Sequence, residues 1–114
     1  VIHGATIGRN CLVGMNAVIM DNVVLEDECI VGAMSFIKAD EIIPARSLVA
    51  GNPAKIIKQV SDEMIAWKTK GTQLYQQLPK EMHAQFEACE PLRSIPADRP
   101  QQETLYTTWN ALKK

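Results

Sequence analysis

Across residues 1–54 an aliphatic side chain returns at every sixth position: Val1, Ile7, Val13, Ile19, Leu25, Val31, Ile37, Ile43 and Val49. Four places after each stand Ala5, Cys11, Ala17, Val23, Cys29, Ser35, Glu41, Ser47 and Pro53, most of them small. Side chains two apart on a strand share a face. Each small residue and the aliphatic residue two places later therefore both point inward, the small one where the chain bends. A six-residue unit is too short to bury its own face and must stack on the next. Nine such units make three coils of 18 residues. The pattern predicts a mainly β protein, a parallel β-helix with inward columns Val1/Ile19/Ile37, Ile7/Leu25/Ile43 and Val13/Val31/Val49. Rungs of such a stack lie about 4.8 Å apart.

The position between the two inward ones faces out, yet apart from Thr6 and Ala54 it reads Leu12, Val18, Val24, Ile30, Phe36, Ile42 and Leu48. Parallel sheets with near-continuous apolar sequence are covered on both faces, so these walls are expected to be covered by other subunits or by the C-terminal helix. Glycine follows the aliphatic residue at Gly8, Gly14 and Gly32, where it is expected to serve tight corners. Glu41 occupies a position that should be small, which predicts a bulge or external loop near Asp40 and Glu41. The array closes at Val49-Ala50-Gly51-Asn52-Pro53-Ala54-Lys55, because proline has no N–H for a ladder.

After that the period changes. Ser61 is a helix N-cap with Asp62 and Glu63 in the first turn, where acidic groups favour the positive helix end. Met64, Trp67, Gly71, Leu74, Tyr75 and Leu78 follow at helical steps as a face to lay against a wall, and Pro79 stops or kinks the helix. A second helical piece runs from about Lys80 to Cys89, with Met82 and Phe86 on one side and His83 as a solvated surface residue. Pro91, Pro96 and Pro100 then prevent regular structure, and Tyr106, Trp109 and Leu112 suit a short final segment. The expected organisation is a β-helix over 1–55, a helical segment over 56–89 packed on it, and an irregular tail over 90–114.

Composition narrows the function classes. The 114 residues are 46% hydrophobic with a net charge of −1, and no clustered Lys/Arg provides a nucleic-acid footprint. No apolar run is long enough to span a membrane, so no membrane partner is expected and the location is read as cytoplasmic. Cys11 and Cys29 lie 18 residues apart, one coil, and so should share a corner on adjacent rungs. Small-residue packing explains them better than a disulfide in a cytosolic chain. The sequence starts at Val1 on a repeat boundary, and an exposed coil edge favours aggregation. This is expected to be the C-terminal part of a longer β-helix.

The run Ile2-His3-Gly4, then Ile7-Gly8-Arg9-Asn10-Cys11-Leu12-Val13-Gly14-Met15-Asn16-Ala17-Val18-Ile19-Met20-Asp21, resembles the γ-class carbonic anhydrase-like branch of the hexapeptide-repeat proteins. Gly51-Asn52-Pro53-Ala54-Lys55, Ala66-Trp67-Lys68, Gly71-Thr72, Tyr75 and Glu90-Pro91-Leu92 make it similar to the phenylacetate-degradation and carnitine-operon members. The resemblance implies a homotrimer of left-handed β-helices with a metal, usually zinc, between adjacent subunits. Two histidines of one subunit and one of its neighbour hold that metal, and His3 matches the His of the His-Gly pair. The other ligands would precede Val1. By residue type alone, a single histidine on such a strand also fits a structural role.

Zinc held by three imidazoles lowers the pKa of bound water to about 7. The resemblance therefore implies hydrolysis of acyl-CoA thioesters, as in the phenylacetate branch, or hydration of carbon dioxide. No catalytic acid, base or nucleophile is assignable within 1–114. A hexapeptide acyltransferase is the alternative, but that chemistry needs a general base, and the histidines are His3 and His83 alone. A non-catalytic assembly module is a third reading, supported by the apolar outward columns.

Overall fold

The computed structural model describes residues 1–100 and 107–112. It divides into two compact units, Val1–Thr69 and Lys70–Lys114. In the first unit seven two-residue strands follow at six-residue intervals: β1 (Thr6–Ile7), β2 (Leu12–Val13), β3 (Val18–Ile19), β4 (Val24–Leu25), β5 (Ile30–Val31), β6 (Phe36–Ile37) and β7 (Ile42–Ile43). Two longer strands complete the array, β8 (Ser47–Gly51) and β9 (Ala54–Gln59).

Strands β1 to β5 each pair in parallel with the strand one coil ahead. Ile7 faces Leu25 and Leu25 faces Ile43; Val13 faces Val31 and Val31 faces Val49; Ile19 faces Ile37. The ladders β1-β4-β7, β2-β5-β8 and β3-β6 form three walls, the arrangement of a parallel β-helix. Val1 joins the third column through its carbonyl, which accepts from Ile19 N at 2.9 Å. The inward columns make the core, with Ile19, Leu25, Val31, Ile37 and Val49 fully buried and Ala17, Val23 and Cys29 beside them at the bends.

The bends themselves follow a rule that the aliphatic pattern did not reveal. Gly4, Asn10, Asn16, Asn22, Glu28, Met34, Asp40 and Arg46, every sixth residue, all have positive φ. Each wall therefore ends in one left-handed residue. The corner role expected of Gly8, Gly14 and Gly32 falls instead two places later, and those glycines have another reason to be small. A Cβ on Gly8 would stand 2.8 Å from Asp27 N, and one on Gly14 would collide with Ala33 N of the next coil. The coils approach too closely there for a side chain.

No bulge or loop forms at Asp40 and Glu41. Asp40 N donates to Asp21 O at 3.0 Å, β7 keeps its register, and Glu41 points toward Lys38, with 3.2 Å between the charged groups. A long side chain at a bend is accommodated by turning its carboxylate outward to a cation.

The array ends in a hairpin. β9 runs antiparallel to β8 from Gly51↔Ala54 to Ser47↔Gln59, around a cis Asn52–Pro53 bond. Residues 56–59, expected within the helical segment, thus belong to the sheet. Helix α1 (Asp62–Gln85) begins as expected: Ser61 Oγ accepts from Met64 N at 3.3 Å. It passes through Pro79 to Gln85 as one helix rather than two. Proline removes a single N–H, and the flanking turns carry the helix past it.

Over the first two turns of α1 the buried side chains are Met64 and Lys68, while Trp67 is half-buried. In the second unit, α1 continues with Tyr75, Leu78 and Met82 exposed, and Phe86 just past its end is exposed too. The short α2 (Trp109–Leu112) supplies the expected final segment for Trp109 and Leu112. Tyr106 lies outside the described residues.

Candidate functional site

Three corners run along the β-helix, and their chemistry differs. The corner between the β2-β5-β8 wall and the β3-β6 wall carries exposed Met15 and Met34. The corner leading into β2, β5 and β8 carries Asn10, Cys11, Glu28, Cys29 and Arg46. The third, leading into β1, β4 and β7, carries His3, Asp21, Asn22 and Asp40.

His3 is placed by its own backbone, its N–H donating to Ile19 O at 2.9 Å. Its Nδ1 lies 2.8 Å from Asp21 Oδ1, with side-chain exposures of 71% for His3 and 47% for Asp21. A carboxylate offers only acceptors, so Nδ1 carries the hydrogen and donates. In the neutral ring Nε2 is then the nitrogen with the lone pair, on a largely exposed side chain. Gly4 makes room for this pair: it has φ of 62°, and a Cβ there would stand 2.5 Å from Asp21 Oδ1.

The coil behind stiffens the arrangement. Asn22 N donates to Gly4 O at 3.0 Å, and the Asn22 side-chain amide donates to Asp40 Oδ1 at 3.0 Å. The sequence nominated His3 through its His-Gly context and passed over Asp21. The available signal was the offset of 18 residues, one coil, between them.

Neutral imidazole nitrogen is a normal zinc donor, and metal-bound histidines commonly give their second N–H to a carboxylate. His3 with Asp21 fits that donor chemistry. Among the described residues no group of three His, Cys, Asp or Glu converges to hold a metal.

The second charged corner is structural in its contacts. Arg46 Nε donates to Glu28 Oε2 at 2.6 Å and Nη1 to Asp62 Oδ1 at 2.7 Å. The hydrogen bond to Glu28, followed by that to Asp62, holds the guanidinium further toward its charged form. Lys68 Nζ donates to Asn10 Oδ1, and Asn10 Nδ2 donates to Thr69 Oγ1 at 3.2 Å. Burial pushes the Lys68 ammonium below the usual lysine range.

Cys11 and Cys29 are free thiols, donating to Glu26 O and Pro44 O, each at 3.2 Å. Burial raises the Cys29 thiol, which suits an inert packing residue. His83 is exposed on α1, Cys89 is exposed beyond it, and an open depression lined by Leu92, Arg93, Ile95 and Arg99 contains neither. Among the described residues no helix is long and apolar enough to cross a membrane.

Residues 4–39 match the family model for bacterial transferase hexapeptide repeats (six repeats). Carnitine operon protein CaiE of Escherichia coli strain SMS-3-5 is 48% identical over 100 residues, 88% of this chain and 51% of CaiE. CaiE of Shigella sonnei matches to the same extent. The chain spans about half the length of the curated relatives it matches. A hexapeptide transferase family protein from Anaplasma phagocytophilum superimposes with a TM-score of 0.67 at 31% identity, over 70% of this chain and 48% of that one. A crystal structure from Bacillus cereus shares the fold, with a TM-score of 0.71 at 24% identity over 73% of this chain and 48% of its own. Six-residue periodicity, parallel 18-residue coils and these likenesses together make this chain a member of the hexapeptide-repeat proteins, on the branch that holds CaiE.

Proposed function

We propose that this chain forms part of a cytoplasmic, γ-carbonic anhydrase-like homotrimer of left-handed β-helices, with His3 ligating a zinc ion shared between adjacent subunits. The reaction is hydrolysis of an acyl-CoA thioester or hydration of carbon dioxide. The observation that carries this reading is the His3–Asp21 pair, which leaves Nε2 as the free donor of an exposed ring.

When bound, zinc with three neutral imidazoles would bring the pKa of water to about 7 and so supply a nucleophile at neutral pH. The chain's own part is to orient His3, with the hydrogen on Nδ1 kept by Asp21. The apolar outward positions, Ile42 above all at 66% exposure, supply subunit contacts.

The test is zinc content, together with turnover of aryl-acetyl-CoA thioesters and of carbon dioxide, in the whole protein that carries this chain. His3→Ala is the control. Bound zinc that disappears in His3→Ala, with one of the two rates, is the expected result. If zinc is bound and both rates are absent, the enzyme reading fails.

A hexapeptide acyltransferase is the second reading, favoured by the 31% identity to a hexapeptide transferase family protein. Acyl transfer to an amine or hydroxyl acceptor that survives chelation would select it.

A further inference from the structure

We propose that Asp21 is the positioning residue for His3: it fixes the Nδ1–H tautomer and ring orientation that leave Nε2 to a metal. This rests on the metal reading of His3 above. The two residues come from successive coils, so their meeting depends on the 18-residue register rather than on local sequence.

Three features of the corner act on the carboxylate. Its Oδ1 accepts from His3 Nδ1 at 2.8 Å. It occupies the volume that a side chain on residue 4 would fill, since a Cβ on Gly4 would lie 2.5 Å from that oxygen. Its own backbone carbonyl accepts from Asp40 N at 3.0 Å, which ties the residue to the third coil. The carboxylate is thus held from behind by a stacked rung and seated in a notch that only glycine leaves open. Free imidazole in water exchanges its hydrogen between the two nitrogens, whereas a fixed acceptor beside Nδ1 selects one form. His3 is 71% exposed, so packing alone does not set its ring, and the carboxylate is the contact that does.

The experiment uses the whole protein. In the zinc-free wild type at alkaline pH, where the ring is neutral, imidazole ¹⁵N NMR is expected to show His3 protonated at Nδ1 and bare at Nε2. In Asp21→Ala the signature should shift toward the opposite tautomer, and Asp21→Asn, whose amide oxygen still accepts, should keep it. Chelator competition should find zinc bound about 10–100-fold more weakly in Asp21→Ala, with circular dichroism confirming the fold. His3→Ala should lose the zinc outright.

Wild-type His3 protonated at Nε2, or Asp21→Ala binding zinc as tightly as wild type while His3→Ala loses it, overturns the positioning role and leaves the metal reading standing. Zinc retained by His3→Ala removes that reading and this proposal with it. The wild-type spectrum decides the matter even if Asp21→Ala does not fold.

Discussion

Lys68 on the second turn of α1 donates to the side-chain oxygen of Asn10, across 58 positions of sequence. Six residues earlier on the same helix, Asp62 accepts from Arg46, two coils beyond Asn10 on the same corner. Seven residues from Asp62 to Thr69 rise about 10.5 Å in an α-helix, and two rungs of a parallel stack span about 9.6 Å. The start of α1 therefore runs back along the corner and clasps the first coil to the third, with Glu28 between them bound to Arg46.

The clasp predicts a pH dependence. Burial lowers the Lys68 pKa in the folded state, while the unfolded chain keeps a value near 10.4. Between the two the unfolded state binds more protons, so stability rises with pH there. It is fully present above the unfolded value and is lost as pH falls through the folded one. Denaturant midpoints across the alkaline range should climb in wild type, and the climb should flatten in Lys68→Met.

Two glycines that look alike in the repeat should respond differently to alanine. At Gly14 the new Cβ would meet the backbone of Ala33 and Gly32, which cannot move without breaking the ladder. At Gly32 it would meet the Ala50 side chain at 3.0 Å and Ser35 Oγ at 3.4 Å. Gly14→Ala should cost about 2 kcal/mol or more, in the range of an overpacked core, and Gly32→Ala clearly less. Urea unfolding of both variants measures the difference.

Left-handed corners give a stabilising change. Met34 holds φ of 60° with its side chain 70% exposed, a conformation that costs an ordinary residue about 1–2 kcal/mol and that asparagine tolerates. Asn10 and Asn16 already occupy the equivalent corners. Met34→Asn should raise stability by about 1 kcal/mol, read as a higher urea midpoint with an unchanged slope.

The inward columns were legible because every aliphatic position repeats without a gap, and Ile7, Leu25 and Ile43 do stand in one ladder. The corners were legible in principle at Asn10, Asn16 and Asn22, residues that favour a left-handed backbone, but not at Glu28, Met34 or Arg46. There the bend is imposed from the preceding coil, where the carbonyls of Arg9, Met15 and Asp27 accept from the N–H groups of these three residues. His3 could be picked out by its glycine neighbour. Asp21 and Lys68 could not, because the partner of each is set by stacking and by the path of α1 rather than by nearby sequence.

Subunit contacts should separate two outward residues that the pattern treats as equals. Ile30 is 7% exposed within the chain itself, whereas Ile42 on the neighbouring wall is 66% exposed. A charge at Ile30 would be buried without a partner, which destabilises the fold whatever the oligomer does. A charge at Ile42 meets solvent in the separated chain and meets another subunit only in the proposed assembly. Ile42→Asp should therefore leave the unfolding temperature of the separated chain nearly unchanged and disperse the oligomer in light scattering. Ile30→Asp should lower folded yield directly. An Ile42→Asp protein that scatters as the same oligomer would move the subunit interface off this wall.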